Sequence, residues 1–365
     1  MTATVNSAPK RGPLTEKALA VGNRAGAKVI PHLPGALKRL LSGGRAITID
    51  GKTLDPSLQL MARAQRLQGL TGITDGHDPI ASRAGVVALA RSLDEPDVHV
   101  AATTAVSIPG PAGVIPARHY RPLGDAAAPL LVFYHGGGYV VGGLKSYDAP
   151  CRLICRDAGV HVLAVDYRLA PEHKAPAPID DGYAAYQWAC DHAEELGADP
   201  TRVAVGGDSA GGNLATLVAL RARDSGDPKP ALQWLIYPVT DWRGQSRSRS
   251  LFADGFLLTK KDMDFFTASF LDGSGVDASD PAVSPLLVDD LSGLPPALLV
   301  TAGFDPLRDE GRQYAARLRE AGVTVDEREM RWMAHIFLNL NVLGGEVARA
   351  NAEMISALRA HLARA

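Results

Sequence analysis

The chain has 365 residues, 46% of them hydrophobic, with 38 basic against 40 acidic side chains and a formal net charge of −2. That length exceeds one compact domain of ordinary size, that apolar content can bury a large sheet, and the near-neutral balance excludes a general nucleic-acid footprint. No apolar run is long enough for a signal peptide or a spanning helix, and three cysteines cannot all pair, so a cytoplasmic protein with no integral membrane segment is expected.

Residues 1–45 hold eight basic residues (Lys10, Arg11, Lys17, Arg24, Lys28, Lys38, Arg39, Arg45) against the single acid Glu16. A solvated basic N-terminal extension is the simplest reading. Weak peripheral contact with an anionic membrane through Leu37–Leu41 is the alternative. Within 46–98, Leu54–Leu67 has apolar residues at helical spacing after a proline-marked start, which predicts N-terminal helices. From about residue 99 to 365, strand-like runs alternate with helical ones, the pattern of an α/β fold with a mostly parallel central sheet flanked by helices.

The run Pro129–Tyr139 reads as a buried strand that ends in His135-Gly-Gly-Gly138. Glycine lets backbone amides approach a substrate, so Gly137 and Gly138, with the amide of Ala210, are candidates for an oxyanion hole. A phosphate cradle is the rival; the missing Gly-Lys-Ser/Thr ending and the absence of a Gly-x-Gly-x-x-Gly helix start disfavour it. His135 is expected to anchor this loop by a hydrogen bond. Cys151 and Cys155 share one helical face and read as buried apolar side chains. No clustered Cys/His spacing or His-Glu-x-x-His points to a metal, and no cofactor motif is present.

In Val203–Ala215 an apolar strand meets a small-residue turn, Gly207-Asp-Ser-Ala-Gly211, that opens a helix. A serine on so sharp a turn leaves no room for side chains two positions either side, which is the requirement of a nucleophile elbow at Ser209. After the apolar run Ala231–Tyr237 comes Asp241, one candidate acid. The alternation then lapses over about 242–286, an insertion expected to contribute a cap, and its serine- and arginine-rich part, Arg243–Ser250, reads as a solvated loop. Pro296–Phe304 delivers Asp305, the preferred acid. Pro306 also makes Asp305 a candidate helix cap, and the two roles compete for the same oxygens. Asp309 and Glu310 fall in the first helical turn, where the dipole accounts for them. Only His335 and His361 follow Ser209. His335 lies on a loop beyond the alternating run Val323–Met330 and is the candidate base, whereas His361 sits in a terminal helix and reads as structural.

Four segments together, His135–Gly138, Asp166–Glu172, Gly207–Gly212 and Asp305–Gly311, resemble those of the bacterial hormone-sensitive lipase family of esterases (family IV) over about residues 100–365. The resemblance implies an α/β-hydrolase fold with a helical cap over the active site, to which the N-terminal helices contribute. Carried over residue by residue, it implies Ser209 as nucleophile, Asp305 as acid, His335 as base, and Gly137, Gly138 and Ala210 as oxyanion donors. It further implies short- to medium-chain acyl esters as small-molecule substrates, and a homodimer through the last edge strand around Val323–Arg328. One departure follows the base: relatives usually have glycine where this chain has Ile336. An amidase or acyltransferase with the same triad, and a non-catalytic small-molecule binding protein on the same scaffold, are the rival functions.

Overall fold

Strands that are apolar at every position need cover on both faces, and the chain supplies it with the helices between them. The structure is a computed structural model that describes residues 29–70, 72–74, 77–93, 98–124 and 126–364. Its main sheet contains β1 (Ala102–Gly110), β2 (Gly113–Arg121), β3 (Ala128–Tyr134), β4 (His161–Val165), β5 (Ala198–Asp208), β6 (Gln233–Ile236), β7 (Ala297–Phe304) and β8 (Val325–Ala334). Their order is β8-β7-β6-β5-β3-β4-β2-β1. Every pairing from β8 across to β4 is parallel, while β2 runs antiparallel to both β4 and β1.

The described helices are α1 (Gly35–Leu41), α2 (Pro56–Leu67), α3 (Pro79–Leu93), α4 (Asp148–Ala158), α5 (Ala177–His192), α6 (Ala210–Ser225), α7 (Arg247–Leu251), α8 (Lys260–Leu271), α9 (Arg308–Glu320) and α10 (Gly345–Leu362). Because side chains alternate along a strand, β3 feeds two cores at once. Leu130, Val132 and Tyr134 join residues of α5 and α6 on one face. Leu131 and Phe133 join residues of α4 and α10, including Cys151 and Cys155, on the other. Each fully buried Leu or Val there contributes about 1.5–3 kcal/mol relative to exposure.

Asp55 caps α2 by accepting from the amides of Ser57 and Leu58, at 2.7 and 3.2 Å. The Asp55 amide donates to the Trp332 carbonyl at 3.0 Å, so the N-terminal segment covers the last part of the β8 edge. The expected basic extension divides in two. Residues 1–28 lie outside the described residues, whereas α1 packs on α2 and its buried Lys38 donates to Ser57 Oγ at 3.0 Å. Leu37, Leu40 and Leu41 remain exposed.

The Arg243–Ser250 run is not simply the solvated loop that its composition predicts. α7 begins inside it, and both Ser248 and Arg249 are buried. Arg249 is tolerated because a buried carboxylate, Glu310, meets its Nε at 2.8 Å.

A second buried polar pair joins β2 to β4. The rings of His119 and His161 lie nearly parallel, with an interplanar angle of 4° and centroids 5.1 Å apart, and share one hydrogen bond of 2.8 Å. Burial, aided by the positive charge of Arg121, pushes both imidazoles down to about 4. Unfolded imidazoles titrate near 6.5, so the unfolded chain takes up protons first as pH falls, and native stability drops between pH 6.5 and 4. The expected loss is on the order of 3 kcal/mol for the coupled pair. Urea midpoints at pH 7.5 and 4.5 check it: the drop should shrink in a His119→Gln/His161→Gln protein, and an equal drop in both proteins would refute it.

Candidate active site

β5 ends at Asp208 and α6 begins at Ala210, leaving Ser209 alone in the turn with φ 56° and ψ −119°. A non-glycine residue held at positive φ stores about 1–3 kcal/mol of strain, so neighbouring structure must over-determine it. The Ser209 amide donates to the Ile236 carbonyl at 2.9 Å, and its carbonyl accepts from the amides of Asn213 and Val239 at 3.0 and 3.2 Å. The flanking glycines are a packing necessity. A Cβ on Gly207 would lie 2.3 Å, and on Gly211 1.9 Å, from the Tyr134 carbonyl oxygen.

His335 follows β8 directly and reaches back across the sheet end. Its Nε2 is 3.0 Å from Ser209 Oγ, and its Nδ1 is 2.7 Å from Asp305 Oδ2, with all three residues buried. The two roles expected to compete at Asp305 are instead divided between its oxygens. Oδ2 faces His335, while Oδ1 accepts from the Leu307 amide at 2.8 Å, because α9 starts beyond Pro306 at Arg308. Asp241 is engaged elsewhere: its carboxylate accepts from the amide, Nε and Nη2 of Arg243 at 2.8–2.9 Å. Asp309 binds the Ser248 amide, and Glu310 binds the amides of Thr240 and Asp241 as well as Arg249. His361 lies on α10, 3.0 Å from Asp326.

The loop after β3 turns on glycine. Gly137 and Gly138 have φ of 115° and 62°. A Cβ on Gly137 would come within 2.2 Å of the Val141 carbonyl, and one on Gly138 within 2.2 Å of the Phe266 ring. Among the described residues, none accepts from the amides of Gly137 or Gly138. Ala210 opens α6, where the first amides of a helix lack intrahelical acceptors. Gly137 and Gly138 line the cavity that also receives Ser209 and His335, and Ala210 follows Ser209 directly at the start of α6.

Two supports of this loop carried no readable signal. Asp208, inside the elbow motif, is fully buried, and desolvation pushes its carboxyl up to about 6. It accepts from the Gly136 amide at 2.8 Å, the Tyr147 hydroxyl at 2.9 Å and the Tyr237 hydroxyl at 3.3 Å, tying the glycine loop to the strand that leads into Ser209. Arg83 of α3 donates to the carbonyls of Val140 and Ala170 at 2.7 and 2.8 Å and pairs with Glu172, clasping the far side of the loop. His135 does anchor the loop: its Nδ1 lies 2.8 Å from the Gly136 carbonyl and its ring stacks on Tyr167.

The cavity above Ser209 is walled mostly by apolar side chains, Val86, Leu89 and Leu93 of α3 on one side, Met263 and Phe266 of α8 on another. Ile336 completes the wall next to His335 with φ 64°, a left-handed conformation that a β-branched residue rarely adopts. Among the described residues, no group of three or more His, Cys, Asp or Glu side chains is placed to hold a metal ion.

Residues 131–339 match the family described as having the alpha/beta hydrolase fold. Carboxylic ester hydrolase LipN of Mycobacterium tuberculosis (strain ATCC 25618 / H37Rv) is 57% identical over 344 residues, covering 93% of this chain and 91% of that protein. Ethyl acetate hydrolase of Pseudomonas putida is 39% identical over 252 residues, covering 68% and 79%. Among solved structures, an ester-hydrolase from the metagenome of Lake Arreo, complexed with a derivative of bipyridine phosphonate, matches with a TM-score of 0.77. It is 44% identical and covers 83% of this chain and 96% of its own.

Proposed function

The chain belongs to the alpha/beta hydrolase fold family, and we propose that it is a serine carboxylesterase acting through Ser209, His335 and Asp305. The observation that carries this reading is the unbroken chain of contacts from Ser209 Oγ through the imidazole to Asp305, at 3.0 and 2.7 Å, opening on an apolar cavity. Relatives that hydrolyse carboxylic esters support it.

In this reading His335 Nε2 takes the Ser209 proton as Oγ attacks the ester carbonyl, and Asp305 holds the Nδ1–H tautomer and stabilises the imidazolium. The developing oxyanion accepts from the amides of Gly137, Gly138 and Ala210, each well-aimed donor contributing about 3 kcal/mol in the transition state. His335 then protonates the departing alcohol. Water activated by the same nitrogen attacks the acyl-enzyme and releases the carboxylic acid. No step draws on a cofactor.

Residues 46–98 and the 242–286 insertion act as the cover of the site, since α3 and α8 both wall the cavity. A covered pocket has finite depth. Each methylene that fits adds about 0.8 kcal/mol, and one that meets the wall must displace packed side chains. Activity on p-nitrophenyl esters is therefore expected to peak at short to medium acyl chains and fall for palmitate. Preferred cleavage of emulsified long-chain triglycerides would overturn this.

β8 lies at the sheet edge, and the stretch around Val323–Arg328, which leads into it, is the one that we assign to a homodimer contact. A monomeric mass at micromolar concentration would count against that assignment. No helix among the described residues is long and apolar enough to cross a membrane, and the buried, free Cys151 and Cys155 suit the cytoplasmic location that we propose.

A further inference from the structure

The wall of the Ser209 cavity contains a cation. Arg249 of α7 lines the cavity beside Trp242, Met263 and Phe266, with its side chain only 10% exposed. A guanidinium carries five N–H donors in a fixed fork and no acceptor. Nε donates to Glu310 Oε2 at 2.8 Å, and Nη2 to the Asp241 carbonyl at 2.8 Å. Nη1 meets only the sulfur of Met263, at 3.4 Å. A thioether is a weak acceptor, so among the described residues Nη1 has no oxygen partner. A buried donor in that state carries a desolvation cost that an oxygen of a bound molecule would remove.

Charge narrows the class of that molecule. Glu310 already neutralises Arg249, and its oxygens are held by the guanidinium and by the amides of Thr240 and Asp241, at 2.8, 2.9 and 3.3 Å. A carboxylate brought to Nη1 would face Glu310 across the guanidinium as a like charge, whereas a neutral oxygen would not. Building on the esterase reading above, we propose that the arm of the substrate reaching the Met263 wall carries an uncharged oxygen acceptor, an ether, ketone or ester carbonyl, which Arg249 Nη1 binds. An all-alkyl arm leaves the donor unpaired, and the site discriminates against it for that reason. Arg249 is in this sense a specificity-determining residue.

The test is an oxygen-for-methylene series: p-nitrophenyl alkanoates against analogues in which one chain methylene at a time is replaced by oxygen, and alkyl acetates against the matching alkoxyalkyl acetates. Each kcat/KM is divided by the hydroxide rate constant of the same ester, which removes intrinsic reactivity. In a wholly apolar pocket the replacement lowers the value at every position, because the ether oxygen gives up its water. The expected result is a rise of about tenfold at one position in the wild-type enzyme. That rise should vanish in the charge-balanced Arg249→Met/Glu310→Gln protein, the readout being the oxygen-to-methylene ratio within each protein. A fall at every position of both wild-type series overturns the proposal, and so does a rise that survives the double substitution. If the double variant fails to fold, Arg249→Lys, which keeps the charge and displaces the donor, replaces it, and the wild-type series still decides. Failure to cleave any ester of either series, with or without the added oxygen, would sink the esterase reading itself.

Discussion

Asp305→Asn is expected to lower kcat for p-nitrophenyl butyrate by about 10⁴-fold, while Asp241→Asn leaves it within about threefold. Asparagine preserves the shape, and its carbonyl oxygen can still accept from the Leu307 amide that Oδ1 now holds at 2.8 Å. Its amide group then faces His335 Nδ1 as a donor. That forces the imidazole proton onto Nε2, which can no longer accept from Ser209 Oγ. Asp241 has no such leverage, since its carboxylate is spent on Arg243. Steady-state kinetics of the two variants, with thermal midpoints to confirm folding, check the assignment. A crippled Asp241→Asn beside a nearly intact Asp305→Asn would reverse it.

Ser209→Ala is expected to lower kcat by about 10⁵–10⁶-fold, because in the proposed mechanism it removes the hydroxyl that His335 Nε2 contacts at 3.0 Å and leaves only binding and the proposed oxyanion contacts. Stability should hardly change. The substitution removes one oxygen and its 3.0 Å contact with His335, and alanine occupies the same strained backbone position as serine. Active-site titration before kinetics excludes contaminating wild-type enzyme. Retained turnover above that background would remove the mechanism.

What the sequence disclosed was what local sterics enforce. Gly207 and Gly211 are legible because a Cβ on either would enter the Tyr134 carbonyl, and the strand-turn-helix around them follows from apolar patterning alone. Gly137 and Gly138 are legible for the same reason. Triad partners could be proposed because each follows a strand end, yet the division of labour at Asp305 could not, since it depends on where α9 starts relative to Pro306. The hydrogen-bond partners of charged side chains in distant segments left no trace. Arg83 grips carbonyls 57 and 87 positions away. Arg249 meets Glu310 61 positions on, so its run read as a polar loop although its charge is buried. For Asp208 the sequence offers only a letter of a motif, because its three donors come from separate strands and loops.

The most direct test of the account is covalent capture of the nucleophile. The folded enzyme is treated with a p-nitrophenyl alkylphosphonate, digested, and mapped by tandem mass spectrometry while residual esterase activity is followed. One phosphonyl group per chain is expected, on the peptide containing Ser209, gained in step with loss of activity and absent from Ser209→Ala. Inactivation with the adduct on another residue, or full labelling of Ser209 with turnover undiminished, would contradict it.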